Sequence, residues 1–312
     1  MPFFKILNEK ERHNRMHYKT GLNVDVLPFN PQGTCTSGGI YFSDEKHICE
    51  FLNYGPWIRE VTFPNDEDLQ IYKDPGGSKW KANKILLGPR MSLKKASTWR
   101  TLLDCGVDLT ADDNAAIQDA SSCGHVEVVK ILLSDKRVDP TADDNHAIRW
   151  ASAKGHVEVV KILLSDKRVD PTADNNYAIL WASERGHVEV VKILLSDKRV
   201  DPTADDNHAI RWASAKGHVE VVKILLSDKR VDPTADNNYA ILWASERGHV
   251  EVVKILLSDK RVDPTADDNH AIRWASAKGH VEVVKILYQH DPDHYNKEMP
   301  EVVKKWNLDK KG

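Results

Sequence analysis

Six histidines, His125, His156, His187, His218, His249 and His280, each stand directly after a glycine and recur every 31 residues. A column of imidazoles at one spacing could ligate a metal or titrate together near neutral pH. Trp150, Trp181, Trp212, Trp243 and Trp274 recur at the same interval. Stacked units would gather these rings in an apolar core, which is the expectation, or as an exposed aromatic strip. Elsewhere, His13 and His17 are four apart, a spacing that puts two ligands on one helix face, yet no third ligand or HExxH glutamate accompanies them. Lys79, Lys81 and Lys84 surround Trp80 as a small basic patch, which reads as a solvated face. Neither the SGG at Ser37 nor the GPR at Gly88 leads into GK[ST], so no phosphate loop is indicated. No cofactor and no metal is expected.

The elements that must carry these residues follow from the bulk of the chain. Its 312 residues suggest two domains or a repeat array. With 44 basic and 47 acidic residues the net charge is -3, which gives no electrostatic reason to expect nucleic acid or an anionic membrane as partner. Cys35, Cys49, Cys105 and Cys123 form no CxxC pair and are too scattered for a disulfide framework, which points to a reducing compartment. The apolar start MPFFKIL is too short for a signal peptide, and no apolar run approaches the ~20 residues that span a bilayer. A cytoplasmic monomer is expected, with a nuclear location left open.

The period itself is the strongest signal. After each Gly-His comes VEVVKIL, and most units continue LSDKRVDPTAD. Two unit types alternate. One begins DDNHAIRWASAKG at Asp143 and the other DNNYAILWASERG at Asp174, and residues 143–204 are identical to 205–266. The unit was therefore copied as a pair. Ala147, Ile148, Ala151 and either Trp150 or Ala153 have helical spacing, Asn145 is suited to cap the start, and Gly155 to end the helix in a left-handed conformation. A second helix in HVEVVKILLSD would bury Val157, Val160, Ile162, Leu163 and Leu164, with Pro171 blocking its continuation. One such pair cannot bury its own apolar faces, whereas stacked copies can.

ASAKGHVEVVKILL from Ala151 and ASERGHVEVVKILL from Ala182 resemble the ankyrin repeat over about residues 114–290. That resemblance implies a mainly α fold, an ankyrin-repeat α-solenoid, here preceded by a small α+β domain. It also makes the recurring histidines a structural feature of the unit rather than a metal or pH-sensing column. Two departures matter. HAIR (His146 to Arg149) or YAIL (Tyr177 to Leu180) replaces the TPLH element, and the 31-residue unit is short. The projecting β-hairpin fingers should therefore shrink to tight loops. The unit style NNYAILWASERGHVEVVK, with YKTGLNVDVLPFNPQGTCTSGGIYFSD at Tyr18, YGPWIREVTFP at Tyr54 and KWKANKILLG at Lys79, resembles more narrowly the ankyrin proteins of giant viruses of the mimivirus type. If that likeness holds, the protein acts in the host cytoplasm.

The expected organisation is a small α+β domain over 1–90, a capping repeat over 91–113, six repeats over 114–295 and a C-terminal cap over 296–312, with Val302, Val303 and Trp306 on a short helix there. In the first ninety residues, GGIYF and WIREVTF read as strands, SDEKHICEFLNYG as a capped helix ending at Gly55, and DLQIYKDPGGSKWKANKILLG as a strand pair about its DPGG turn.

The unit types differ at Asp144/Asn175, His146/Tyr177, Arg149/Leu180, Ala153/Glu184 and Lys154/Arg185. In ankyrin proteins the first helix lines the concave binding face. The resemblance therefore implies protein–protein recognition by His146, Arg149, Tyr177, Glu184, His208, Arg211, Tyr239, Glu246, His270 and Arg273. Two rival readings stand beside it. The repeats could target a catalytic N-terminal domain, with Tyr41, Tyr54, Arg59 and Glu60 as polar candidates, or form a scaffold with no selected partner. No nucleophile–base pair stands out, so the chain is read as no enzyme.

Overall fold

The computed structural model describes residues 1–13, 16–32 and 36–309. Cys35, with the GTC of the Tyr18 motif, and the last three residues of the expected C-terminal cap lie outside the described residues. Two compact units emerge, Met1–Ala147 with Ser165–Val169, and Ile148–Leu164 with Asp170–Gly312. No described helix is long and apolar enough to cross a membrane.

The N-terminal region is rich in strands: β1 Phe3–Leu7, β2 Arg12–His13, β3 Met16–His17, β4 Gly21–Val24, β5 Ile40–Asp44, β6 Trp57–Thr62, β7 Ile71–Lys73, β8 Trp80–Ala82, β9 Lys84–Leu87 and β10 Met91–Ser92. Eight of them form one antiparallel sheet, ordered β4-β9-β6-β1-β5-β8-β7 with β10 on β6, while β2 and β3 form a separate hairpin. The strands expected at GGIYF and WIREVTF are present. The pair about DPGG is β7 and β8, in the register Ile71↔Ala82 and Lys73↔Trp80. Leu7, Tyr18, Ile40, Phe42, Val61 and Ile85 belong to its apolar cluster.

Three readings of this region need correction. The segment expected as a capped helix is a 3-10 helix, Ile48–Tyr54, with no side-chain cap, and Ser43 belongs to β5. His13 and His17 lie on a two-stranded hairpin, paired with Met16 and Arg12 respectively, so they do not share a helix face. The three lysines do not form a patch: Lys81 is buried and donates to Thr36 Oγ1, Lys84 pairs with Asp66, and Lys79 lies over Phe51. Of the polar candidates, Arg59 is buried against Glu11 (2.8 Å) and also donates to Thr20 Oγ1 and Gly88 O, whereas Glu60 is exposed. In the same compact unit the 3-10 helix packs on helix Ala111–Ser122, and Asp108 N–H donates to Glu45 O at 2.8 Å.

From Ala96 onward the chain is helical. A single helix, Ala96–Asp104, precedes six helix pairs, whose first members run from Ala111–Ser122 to Ala266–Lys278 and whose second members run from Val126–Ser134 to Val281–His290. No strand occurs in the described residues after Ser92. Ala147, Ile148, Ala151 and Ala153 are buried in the first-helix stripe. In the second helices the buried set is Val159, Val160 and Leu163, while Ile162 and Leu164 are only half-buried.

The expected asparagine cap is replaced by something else. Each first helix is entered through three consecutive left-handed residues, such as Asp205 (φ 53°), Asp206 (φ 52°) and Asn207 (φ 58°). Asp and Asn tolerate this region far better than other residues that carry a Cβ. Asn207 N–H donates back to Thr203 O at 2.8 Å, and Thr203 is held through its N–H and Oγ1 by Asp201 Oδ1. Asn207 Oδ1 then accepts from Asp232 N–H of the following unit at 2.8 Å. The pattern recurs from Asn176 to Asp201 and from Asn238 to Asp263, so Asp, Thr and Asn pass hydrogen bonds from unit to unit. At the end of the series the position 25 residues after Asn269 is a histidine, and His294 Nε2 donates to Asn269 Oδ1 at 2.8 Å instead.

His294 belongs to helix Pro292–Glu298, capped by Asp291 and absent from the sequence reading. The expected short helix follows as Pro300–Trp306, with Val302 and Val303 buried. Its Trp306 Nε1 donates to Ser276 Oγ at 2.8 Å. The equivalent hydroxyls of Ser183, Ser214 and Ser245 are buried with no hydrogen-bond partner. Ser214→Ala should therefore leave stability unchanged or raise it by up to about 1 kcal/mol, because it deletes an unsatisfied group. Ser276→Ala should cost about 1–2 kcal/mol, because it orphans Trp306. Chemical melts of the two full-length variants check this, and equal effects would contradict it.

Candidate functional site

The recurring histidines hold units together. His187 Nε2–H donates to Ala153 O (3.0 Å), His218 to Glu184 O (2.8 Å) and His249 to Ala215 O (3.0 Å). Each ring fills the space left by a glycine of the preceding unit. A Cβ built on Gly155, Gly186, Gly217 or Gly248 would stand 2.6 Å from Nδ1 of His187, His218, His249 or His280. Those glycines are left-handed, for example Gly217 at φ 78°, as the sequence suggested. Burial favours the neutral ring and lowers the pKa of His187 and His249, against the opposing effect of the carbonyl contact. Among the described residues no three His, Cys, Asp or Glu side chains gather as a metal site.

The tryptophans are a correction to the core-packing reading. Trp150, Trp181, Trp212 and Trp243 are half-buried, and Trp274 is 41% exposed. The small, buried alanines of the first helices let neighbouring helices pack closely, and the large rings remain on the outer surface of that layer. There they form a ladder with the variable residues. Tyr177 stacks on Trp181 (5.2 Å), Tyr239 on Trp243 (5.1 Å) and His208 on Trp212 (5.6 Å). Trp150 approaches Tyr177 at 6.2 Å, Trp212 approaches Tyr239 at 6.4 Å, and Trp243 meets Trp274 edge-on. Cations cover the rings: Arg185 lies over Trp181 (5.0 Å), Arg247 over Trp243 (4.8 Å), and Lys154 and Lys216 over Trp150 and Trp212.

The sequence-derived candidates take distinct places on this ladder. Arg149 pairs with Asp174 (2.6 Å) and lies over Tyr177; Arg211 pairs with Asp236 (2.7 Å) and lies over Tyr239. These two arginines brace consecutive units and hold the tyrosines in position. Arg273 has no following unit to pair with, turns back to Asp268 (3.3 Å) and is exposed. His208 bonds Asp205 (3.1 Å) and comes within 3.7 Å of Glu184, while His270 pairs with Asp267 and packs edge-on against Trp274. His146 is half-buried on helix Ala142–Ala153. Glu246 and Tyr239 line a cleft of about 270 Å³ with Trp243, Trp274, His270 and Asp236, and Glu246 Oε2 is buried there without a hydrogen-bond partner. Burial raises the Tyr239 pKa. Asp174 and Asp236 were missed because both unit types carry Asp at that position, so variation does not mark it.

A family profile described as ankyrin repeats matches this chain in three copies, at residues 92–175, 148–237 and 210–298. An ankyrin repeat protein of Acanthamoeba polyphaga mimivirus is 37% identical over 140 residues, covering 41% of this chain and 46% of that protein. A second from the same virus is 35% identical over 134 residues, covering 42% and 40%. An uncharacterised protein of that virus is 36% identical over 141 residues, covering 42% of this chain and 96% of its own. The chain thus spans less than half the length of the first two relatives. Ankyrin repeats are in general protein–protein interaction modules without catalytic activity. The profile runs through the whole series of helix pairs, and the Gly-His junctions and first-helix ladder sit inside it: the chain belongs to the ankyrin-repeat family.

Proposed function

We propose that this chain is a protein-binding module whose partner, a protein of the host cytoplasm, docks on the first-helix face of the repeats. The half-exposed aromatic ladder carries the reading. Tyr, Trp and Arg are the residue types that dominate binding energy at protein interfaces, and here they sit on a rigid frame with little ordering cost. Tyr177, Tyr239, Glu184, Glu246, His146, His208, His270 and the arginines Arg149, Arg211 and Arg273 are the proposed contacts. In this reading residues 1–90 form a separate domain, 91–113 and 296–312 cap the array, and the protein acts as a monomer without nucleic acid or membrane.

The test uses full-length protein. A partner is isolated by affinity capture, identified, purified and titrated. Tyr177→Ala with Tyr239→Ala should weaken that binary affinity by about 10–100-fold, the range of interface anchors. Glu189→Ala with Lys192→Ala, an exposed pair on a second helix (2.7 Å), should leave it unchanged. Loss of binding in the second variant but not the first would place the interface elsewhere and sink the proposal.

A further inference from the structure

The N-terminal sheet contains a gap. Strands β1 and β5 pair only at Phe3↔Asp44 and Phe4↔Ser43, while β1 continues on its other edge along β6 to Leu7↔Trp57. Beyond Phe4 the two strands separate, and the Tyr41 carbonyl receives the Lys5 ammonium (2.5 Å). The opening is a cavity of about 330 Å³. Its walls are apolar, with Phe4, Ile6 and Phe42 from the strands and Ile48, Phe51 and Tyr54 from the 3-10 helix. That helix is fixed against β1, because a Cβ on Gly55 (φ 155°) would stand 2.3 Å from Leu7 O. Among the described residues the charged and titratable side chains that line the cavity are Lys5, Arg12, His13, Lys79 and the two tyrosines Tyr41 and Tyr54, with no Asp or Glu among them.

We propose that this cavity binds a small organic anion, a monocarboxylate on an aromatic or short aliphatic body, with Lys5 as its counter-ion. The volume is in the range of small-molecule sites, and apolar walls with a few convergent polar groups are their usual make-up. The body of the ligand fills the space between β1, β5 and the 3-10 helix, and its carboxylate meets a cationic lining with no acidic competitor. Tyr18 presents its ring at 4.7 Å, Tyr41 its carbonyl, and Arg59, opposite Lys5 on β6, is already neutralised by Glu11. Burial brings the Lys5 pKa down to about 7, and burial together with the Lys5 charge lowers that of His13. An incoming carboxylate favours the charged ammonium, so binding near pH 7 takes up a proton. This site is independent of the repeat face.

The test is calorimetry on the full-length protein with 1-naphthoate as probe, near pH 7, in two buffers of different ionisation heat. The expected result is saturable binding with net proton uptake, and at least 10-fold weaker binding of the uncharged 1-naphthalenemethanol. Lys5→Met, checked for an unchanged melting curve, should weaken naphthoate at least 10-fold and abolish the uptake. Absence of binding, equal affinity for the uncharged probe, or binding without proton uptake would each overturn the proposal. These three readouts need only the native protein, so they decide the matter even if Lys5→Met fails to fold.

Discussion

Gly217→Ala is expected to destabilise the protein by about 3–4 kcal/mol, and Gly279→Ala by only about 1–2. The two glycines share the local sequence ASAKGHVEVVKIL and the same backbone, at φ 78° and 79°. Left-handed backbone costs any residue with a Cβ about 1–2 kcal/mol, and both variants carry that cost. Only Gly217 is followed by a unit that inserts a histidine, whose Nδ1 would lie 2.6 Å from the new Cβ, while nothing lies within 4 Å at Gly279. Relieving that overlap displaces His249 from Ala215 O, which adds an overpacking cost of about 1–3 kcal/mol. Chemical denaturation of both full-length variants measures the difference. Equal losses would mean that the ring moves aside freely and that the Gly–His junction does not couple the units.

Asn207→Ala should cost about 2–4 kcal/mol, more than most single substitutions. Alanine must hold the left-handed φ of 58° without the side chain that makes it tolerable, and Asp232 N–H loses its acceptor in a partly buried loop. Asn207→Gly separates the two contributions. It relieves the backbone but still leaves Asp232 N–H unpaired, so it should recover about 1 kcal/mol of the loss. Hydrogen exchange at Asp232 is the direct readout. If that amide exchanges no faster in either variant than in the native protein, the bond to Asn207 is not what protects it.

Much of this architecture was legible. Period, helix positions and the left-handed glycine at the turn follow from spacing and residue type, because Gly-His-Val-Glu-Val-Val repeats without interruption. The Asp-Asn loops were legible only as turns. Their residue types announce tolerance of unusual backbone, but not three left-handed residues in succession, nor an asparagine that bonds forward to Asp232 rather than to its own helix. The tryptophans misled for a related reason. Helical spacing identifies a stripe, but the alanines beside each ring, such as Ala147 and Ala151 beside Trp150, already fill the space between helices. In the candidate site, variation between unit types picked out Tyr177, Arg149 and Glu184 but could not show that Arg149 is tied to the invariant Asp174. In the N-terminal region, the cavity depends on where two paired strands part, which leaves no trace in local sequence.

The forward-bonding asparagine bears on how such a chain can change its length. Residues 143–204 and 205–266 are identical and each encloses its own forward bonds, such as Asn176 to Asp201 and Asn238 to Asp263, so recombination that gains or loses one block of this kind carries these contacts with it and needs no compensating substitution. The terminal segment is different. His294 and Trp306 occur once, and they satisfy Asn269 and Ser276, which a further repeat would otherwise cover. A block inserted between the repeats therefore meets matching neighbours, whereas one placed directly after His294 would meet a surface already occupied.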